Sequence, residues 1–245
     1  VQSIDGIGGL AVEPRVPDRH LALGIPGQQG EVADGQAPAQ AGKVRSRQAA
    51  VFRSLGDWNA THGRWDQAIQ CFRLLMQANR LDDPSKILGS SDLIAISAAL
   101  LHHGTLDYLE FRTEVRDHYL TPTDSLQAEH LLKACLISPV DDDLLNRLQH
   151  SVEVMGDPAK APLPAWAGLA LGLYQYRSAK NEEVLKTCET GFAVPNIKNS
   201  CRASIKSLSS MANSRLGKKS RAREELEEAR KLIAESAGND SAGGS

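Results

Sequence analysis

The stretch that decides the fold is Phe52-Arg-Ser-Leu-Gly-Asp-Trp-Asn-Ala-Thr-His-Gly-Arg-Trp-Asp-Gln-Ala-Ile-Gln-Cys-Phe72. A stripe of apolar residues recurs at helical spacing before Gly63, and a second stripe resumes after it. The first stripe consists of Val51, Phe52, Leu55 and Trp58, and the second of Trp65, Ala68, Ile69 and Phe72. The stretch therefore predicts a helix, a tight turn at Gly63 and a second helix.

The same pattern of helix, turn and helix returns four more times along the chain. The predicted turns fall near Gly63, Gly104, Pro139, Ala179 and Gly217, at separations of 41, 35, 40 and 38 residues. Repetition at such intervals is typical of helix-pair solenoids, in which each pair packs only on its neighbours. We therefore predict an all-α helical-repeat solenoid of about five antiparallel helix pairs between residues 43 and 235.

The residues of this pattern resemble the tetratricopeptide repeat (TPR) family. The first pair matches the family's motif at Phe52, Leu55, Gly56, Gly63, Trp65, Ala68 and Phe72. Asn59 departs from the motif, since Tyr is usual at that position, and the last pair repeats only the part around Leu216-Gly217 and Ala222. The resemblance implies a right-handed superhelix that serves as a repeat scaffold rather than as a catalytic domain.

A narrower resemblance is carried by two stretches between Leu100 and Leu136, Leu100-Leu-His-His-Gly-Thr-Leu-Asp-Tyr108 and Ala128-Glu-His-Leu-Leu-Lys-Ala-Cys-Leu136, and it covers roughly Arg47 to Ile233. These stretches are similar to the repeat regions that follow Ser/Thr kinase domains in some planctomycete-type and verrucomicrobial bacteria. The similarity implies a scaffold that belongs to a signalling or regulatory protein.

Composition divides the chain into three parts. All eleven aromatic residues lie between Phe52 and Phe192, and the Gly- and Pro-rich segment 1–42 contains none. Such a segment buries too little apolar surface to offset its ordering entropy, so we expect a disordered leader over residues 1–42. The polar segment 236–245 is expected to be a disordered tail. The repeat domain is predicted between them, over residues 43–235.

Charge and hydropathy argue against two classes of partner. The chain of 245 residues has a formal net charge of −2, whereas nucleic-acid binders are usually strongly basic. Its longest apolar run, Leu93 to Leu101, has about half of the ~20 residues that a membrane-spanning helix needs. We therefore expect neither nucleic acid nor a membrane as partner. The opening residues lack the basic and apolar segments of a signal peptide, which favours a cytoplasmic location.

The expected partner is a protein or a peptide bound in a concave groove. In helix-pair solenoids the first helices of the pairs line that groove, and such faces commonly bind extended peptides. On the predicted register the groove residues are Asn59, Ser97, His130 and Tyr174. A second candidate surface, for an acidic partner, is the basic end of the chain, which includes Lys218, Lys219 and Arg221. Alternatively, this end is a solvated capping helix.

No motif in the chain indicates catalytic, cofactor-binding or metal-binding residues, so we predict a protein that is not an enzyme. Ala37-Pro-Ala-Gln-Ala-Gly-Lys-Val44 fails as a phosphate loop, because Ala replaces its first Gly and Val replaces its Ser or Thr. The four cysteines contain no Cys-x-x-Cys pair and are predicted to be buried free thiols. The identity of the partner and the oligomeric state stay open.

The alternative is an enzyme or a small-ligand sensor with a site inside the helical array. Such a site needs acid and base groups that converge in one pocket. A pocket that holds at least two of five side chains would favour this alternative: His103, Asp107, Glu110, His130 and Tyr174.

Overall fold

The computed structural model describes residues 37–82 and 91–242 of the chain. These residues form ten α-helices and one 3₁₀ turn, and they contain no strand. The helices are α1 Ala37–Thr61, α2 Trp65–Asp82, α3 Asp92–His103, α4 Thr105–His118, α5 Ser125–Leu136, α6 Asp142–Met155, α7 Pro164–Arg177, α8 Asn181–Phe192, α9 Asn199–Arg215 and α10 Lys219–Ala242. The 3₁₀ turn, Pro158–Lys160, lies between α6 and α7.

Consecutive helices form antiparallel pairs, from α1 with α2 to α9 with α10. Within a pair, a residue before the turn contacts a residue at a similar distance after it, which shows that the two helices are antiparallel. Thr187 of α8 donates a hydrogen bond to the amide oxygen of Gln175 in α7 at 2.8 Å. In the same way, Asn213 of α9 donates to the carboxylate of Glu225 in α10 at 2.9 Å. The five predicted turns are confirmed, since the chain reverses at each of them.

Three of the five turns place a residue with a positive φ at the equivalent position. The φ angle is 70° at Gly63, 59° at Ala179 and 77° at Gly217. Left-handed backbone costs an L side chain roughly 1–2 kcal/mol and costs glycine almost nothing. The turn at Ala179 therefore carries strain that the two glycine turns avoid.

Glycines occupy positions where two helices approach closely. A Cβ added to Gly56 of α1 would lie 2.5 Å from Cε1 of Phe72 in α2. A Cβ added to Gly172 of α7 would lie 2.8 Å from Cδ2 of Leu208 in α9. Carbon atoms in van der Waals contact are about 3.5–4.0 Å apart, so neither site has room for a side chain. Ala68, which matches the repeat motif, is fully buried.

Successive pairs stack into a helical-repeat solenoid. The second helix of each pair contacts the first helix of the next, as α4 contacts α5 and α8 contacts α9. The first helices also contact one another, α3 with α5, α5 with α7 and α7 with α9. One buried apolar core extends from Ala49 to Ala170, and a second joins α7, α8 and α9. The predicted all-α repeat fold is therefore confirmed.

Arginines link the carboxyl ends of neighbouring first helices. Arg177, the last residue of α7, donates from Nε to the carbonyl oxygen of Leu136 at the end of α5, at 2.9 Å. Arg215, the last residue of α9, donates from Nη1 to the carbonyl oxygen of Tyr176 near the end of α7, at 2.7 Å. Carbonyls at a helix C-terminus lack partners within the helix, and a cation there also complements the helix dipole. The two arginines therefore tie successive repeats together.

The apolar stripe predicted on α1 is only partly buried. Phe52 packs against the core, whereas Val51, Leu55 and Trp58 are 54%, 46% and 47% exposed. Of these four side chains, only Phe52 is covered by the core, and the other three are about half exposed. Spacing determines which residues share a face of a helix, but it does not determine which face another helix covers.

The predicted boundaries of the repeat domain both fall inside helices. Residues 1–36 of the predicted leader lie outside the described residues, and α1 already begins at Ala37, before the boundary predicted at residue 42. At the other end, α10 continues to Ala242, beyond the boundary predicted at residue 235. Residues 243–245 of the predicted tail also lie outside the described residues.

Candidate functional site

A groove runs along the first helices of the second to fifth pairs, α3, α5, α7 and α9. Its volume is about 940 Å³. We call it the first-helix groove. Its lining residues on or beside α3 and α5 are Ser91, Ile94, Ala95, Glu129, His130, Lys133 and Ile137. Those on or beside α7 and α9 are Leu163, Trp166, Leu169, Leu173, Arg177, Lys198, Ser200, Ser204, Ser207, Leu208 and Met211.

The groove side chains of α7 follow strict helical spacing. Trp166, Leu169, Leu173 and Arg177 are three or four residues apart, so they lie on one face of the helix. Gly168 and Gly172, between them, lie toward α8 and α9 instead. α7 therefore presents one face to its neighbours and another, mostly apolar, face to the groove.

A cluster of charged side chains lies buried in the wall of the groove. The ammonium of Lys133 forms an ion pair with the carboxylate of Glu129, one helical turn away on α5. Oε2 of Glu129 also lies 3.4 Å from Nε2 of His130. The side chains of Glu129, His130 and Lys133 are only 2%, 8% and 9% exposed. Burying a charge is costly unless the charge is paired, so this pairing stabilises the cluster.

An aromatic ring completes the cluster. Nζ of Lys133 lies 4.5 Å from the centroid of the Trp166 ring, within the range of a cation–π interaction. Lys133 is therefore held between a carboxylate on its own helix and an aromatic ring on α7.

Two further cations lie at the edges of the groove. Lys198 is exposed, just before α9. Arg177 is half-buried at the end of α7, and burial lowers the pKa of its guanidinium, as does the positive charge of Arg215. The described lining contains three basic side chains, those of Lys133, Arg177 and Lys198, and one carboxylate, that of Glu129. The lining therefore carries an excess of positive charge.

Of the four predicted groove residues, the structure places only His130 in the groove lining. Ser97 of α3 is fully buried, and Asn59 of α1 is 9% exposed and donates to the carbonyl oxygen of Leu55 in its own helix. Tyr174 packs partly buried against the core. On α7 the groove is lined by Leu173, one residue before the predicted Tyr174. The spacing of the groove residues in α7 was visible in the sequence, but it resembles the spacing of core residues.

The basic end of the chain is largely compensated by acids. Nζ of Lys218 lies 3.5 Å from Oε1 of Glu182 in α8. Arg221 lies 3.3 Å from the carboxylate of Glu225 and 3.7 Å from that of Glu224. Lys219 is exposed at the start of α10. These residues lie outside the first-helix groove.

Two of the five side chains considered for an enzyme share a cavity. Asp107 and Glu110 of α4 line a cavity of about 390 Å³ between α2, α3 and α4. Glu114 and Arg73 also line it. The volume lies within the range of small-molecule sites, roughly 300–1,000 Å³. The alternative of a site inside the helical array therefore stays open.

The other candidates for an enzyme lie elsewhere. His130 belongs to the first-helix groove, and Tyr174 lines neither space. His103 joins two helix pairs: its Nδ1 lies 2.8 Å from Oδ2 of Asp107, and its Nε2 lies 2.9 Å from Oδ1 of Asp66. Chiefly through the hydrogen bond with Asp107, these carboxylates raise the pKa of His103.

Three cysteines are buried as free thiols, as predicted, and the fourth, Cys71, is partly exposed. Burial raises the pKa of Cys201 to about 11 and the pKa values of Cys135 and Cys188 to about 12. Because the thiolate is the nucleophile, thiols with such pKa values are unreactive near neutral pH. These three cysteines are therefore structural residues.

Within residues 37–82 and 91–242, no three His, Cys, Asp or Glu side chains are grouped in a way that would hold a metal ion. None of the helices in the same ranges combines the length and the hydropathy that crossing a membrane requires.

No protein-family model matches the sequence, and no curated protein matches it. Among solved structures, the chain is similar to the crystal structure of MamA protein, with 15% sequence identity and a TM-score of 0.38. The match covers 79% of this chain and 96% of that chain. A likeness of this degree carries no information about function.

Proposed function

We propose that this chain is a non-catalytic scaffold that binds a segment of a protein partner in the first-helix groove. The observation that carries the proposal is the continuity of the groove across four helix pairs. Each first helix adds a row of side chains to the same surface, so the groove suits an elongated ligand. A preformed surface also loses little conformational freedom on binding, which favours affinity.

The floor of the groove favours a segment with apolar side chains. Trp166, Leu169 and Leu173 follow one another along α7, and Leu208 and Met211 of α9 line the same space. Burial of apolar and aromatic side chains in such a floor provides most of the binding free energy in peptide-binding grooves.

The charges of the groove favour a carboxylate on the same segment. Glu129 is already paired with Lys133, so the excess positive charge lies at Arg177 and Lys198. Opposite charges on a partner speed its encounter with the groove and fix its register. The proposed ligand is therefore a peptide segment in which an acidic residue lies near apolar ones.

The test is a peptide selection followed by affinity measurements on the full chain. Random peptides of about 15 residues, long enough to follow the groove, are displayed on phage and selected on the wild-type protein. The expected consensus combines apolar and acidic residues. Fluorescence anisotropy of the labelled consensus peptide should then show binding about tenfold weaker for Lys198→Glu, and weaker still for Leu173→Arg.

The matched control is Lys218→Glu. Lys218 is also an exposed lysine, and its reversal changes the net charge by the same amount, but it lies outside the groove. Its affinity for the peptide should stay within about twofold of wild type. Equal losses in K198E and K218E would assign binding to general charge or to the basic end, and an unchanged affinity in K198E and L173R would refute the proposal.

A second part of the proposal concerns the protein to which the scaffold belongs. The resemblance carried by residues 100–136, to repeat regions that follow bacterial Ser/Thr kinase domains, supports it. We propose that the scaffold works within a bacterial signalling or regulatory protein. Sequencing of the neighbouring coding region tests this directly, because a kinase or sensor domain encoded in frame with this chain is the expected result. Neighbouring genes and domains without a regulatory character would contradict it.

The acidic cavity on α4 favours one other candidate function, the binding of a small cationic ligand. The cavity is lined by three carboxylates, those of Asp107, Glu110 and Glu114, and by one guanidinium, that of Arg73. A thermal-shift screen with small organic amines tests this candidate. A shift that Glu110→Gln removes would support it, and the absence of any shift across the panel would exclude it.

A further inference from the structure

A cavity lies between the last three helices, α8, α9 and α10, and its volume is about 330 Å³. We call it the α8–α10 cavity. On α9 it is lined by Ile205, Lys206, Ser209 and Asn213, which share one face of that helix. The first-helix groove lies on another face of α9, and no described residue lines both spaces. The cavity is therefore separate from the groove.

Three polar side chains in the wall of this cavity are buried. Ser209, Asn213 and Glu225 are 7%, 4% and 5% exposed. Nδ2 of Asn213 donates a hydrogen bond to Oε2 of Glu225 at 2.9 Å, which holds the carboxylate of α10 against α9. Burying a polar group is costly unless it is hydrogen-bonded, so each buried group of this kind needs a partner.

The hydroxyl of Ser209 has no hydrogen-bond partner among the residues that the structure describes. On the same helix, Ser204 and Ser207 donate to carbonyl oxygens one turn back, at 3.0 and 2.9 Å. Ser209 makes no such bond, although it is the most buried of the three. A hydroxyl can both donate and accept. Ser209 therefore offers a hydrogen bond to a molecule inside the cavity.

One end of the cavity holds two opposite charges side by side. Nε of Arg221 lies 3.3 Å from Oε1 of Glu225, one helical turn away on α10. A guanidinium has several N–H donors and a carboxylate several acceptor positions, so both groups can bond a ligand as well as each other. The whole lining is balanced, with two basic side chains, Lys206 and Arg221, and two carboxylates, Glu189 and Glu225. These charges fit a ligand that carries an ammonium and a carboxylate on neighbouring atoms.

The other end of the cavity provides an apolar surface. Phe192 of α8 and Ile205 of α9 line it, together with Leu185. Nζ of Lys206 lies 4.6 Å from the centroid of the Phe192 ring and 2.9 Å from Oε2 of Glu228, so its charge is already compensated. At about 30 Å³ for each water molecule, the volume corresponds to a ligand of roughly ten non-hydrogen atoms. This space suits a small ligand with an aliphatic or aromatic side chain.

We propose that the α8–α10 cavity binds a free α-amino acid with an apolar side chain. The ammonium of the amino acid contacts the carboxylate of Glu225 and the hydroxyl of Ser209, and its carboxylate contacts the guanidinium of Arg221. The side chain packs against Phe192 and Ile205. Such a ligand contacts the fourth and the fifth helix pairs at once. It therefore stabilises the folded state and raises Tm.

A thermal-shift screen of the full chain with each standard amino acid, at about 10 mM, is the first test. Tm should rise with leucine, isoleucine, methionine or phenylalanine, and it should not rise with aspartate or lysine. Calorimetric titration should then give a Kd below about 1 mM for the best of them. No rise with any amino acid, or an equal rise with all of them, would overturn the proposal.

Two analogues of leucine test the recognition of both charges. Isoamylamine lacks the carboxylate and 4-methylpentanoate lacks the ammonium, while both keep the apolar side chain. Each should bind at least about tenfold more weakly than leucine, because each loses the hydrogen bonds of one charged group. Equal affinity of either analogue and leucine would contradict the assigned role of Arg221 or Glu225.

Substitutions at the charged end test the site itself. Glu225→Gln keeps the acceptor for Asn213 but removes the charge, and it should weaken binding about tenfold or more. Glu227→Gln is the matched control, because Glu227 is an exposed residue of the same helix outside the cavity. Arg221→Gln changes an exposed side chain, so it tests the same end without a buried substitution. Equal affinities of E225Q and E227Q, or an unchanged affinity of R221Q, would overturn the proposal.

Filling the cavity tests its location. Ser209→Leu places an apolar side chain in the space and should abolish binding, while circular dichroism shows whether the variant is folded. A folded S209L variant that binds the amino acid as wild type does would place the ligand elsewhere. The affinity for the selected peptide should be the same in E225Q and wild type, because Glu225 lies outside the first-helix groove. The two proposals can therefore fail separately.

Discussion

The close contact between α1 and α2 predicts opposite effects for two glycine-to-alanine substitutions. Gly56→Ala should destabilise the protein, and Gly168→Ala, in the middle of α7, should stabilise it. Alanine is favoured over glycine in a helix interior by about 1 kcal/mol, and both substitutions gain this term. The difference between them therefore comes from the space around the added methyl group.

The magnitudes follow from the distances. At Gly56 the new Cβ would lie 2.5, 2.7 and 3.0 Å from three carbons of the Phe72 ring, which is itself almost fully buried. Overpacking of this kind costs about 1–3 kcal/mol, and the short distances place Gly56→Ala in the upper half of that range. After subtraction of the helix term, the net loss is about 1–2 kcal/mol. At Gly168 the nearest atom is Cα of Gly191 at 3.7 Å, an ordinary contact, so a gain of about 0.5–1 kcal/mol remains.

Thermal unfolding followed by circular dichroism at 222 nm measures both effects. In a chain of this size, 1 kcal/mol corresponds to about 2–4 °C in Tm, so the Tm values of the two variants should differ by at least about 3 °C. In a Phe72→Leu background the ring is absent, and Gly56→Ala should there become neutral or stabilising. A G56A variant as stable as G168A in the wild-type background would refute the helix contact on which the first repeat is based.

Three further substitutions test other parts of the fold. Because the pKa of His103 is raised in the folded state, its contacts stabilise that state fully below the ordinary pKa of 6.5, and this stabilisation is lost as pH rises through the folded-state pKa. The urea midpoint of wild type should therefore fall over that pH range. The urea midpoint of His103→Gln should fall less, because its side chain does not titrate and no longer forms the charged contact with Asp107. Ala179→Gly should raise the free energy of unfolding by about 0.5–1 kcal/mol, measured by urea denaturation, because it relieves the positive φ at the turn; a destabilised variant would contradict this. Asp92→Asn should lower the free energy of unfolding by about 1–3 kcal/mol in the same assay, because the bidentate ion pair with Arg53 is lost. An unchanged urea midpoint would show that this ion pair contributes nothing to stability.

The repeat architecture could be predicted from the sequence because its signals are local. Apolar residues at helical spacing on both sides of Gly63 and Gly217 define helix pairs within about 30 residues of chain. The outward direction of Val51, Leu55 and Trp58 could not be predicted in the same way. Their spacing is that of a buried stripe, and only the position of the neighbouring helices shows that they are exposed.

The groove could be predicted in outline but not residue by residue. The first helices do line it, and His130 belongs to it. Ser97 and Tyr174 miss it because a shift of one residue turns a side chain by about 100° around a helix. The contacts of Arg177 with Leu136 and of Arg215 with Tyr176 join residues about 40 positions apart, roughly one repeat, and no local pattern indicates such pairs.

The most direct test of the central claim uses Trp166 as a reporter inside the groove. The chain has three tryptophans, and Trp58→Phe with Trp65→Phe leaves Trp166 alone. Titration with the selected acidic and apolar peptide should change the emission of Trp166 in a saturable way, with the same Kd as the anisotropy measurement. Saturable binding by anisotropy with no change in Trp166 emission would place the ligand elsewhere and contradict the assignment of the groove as the binding site.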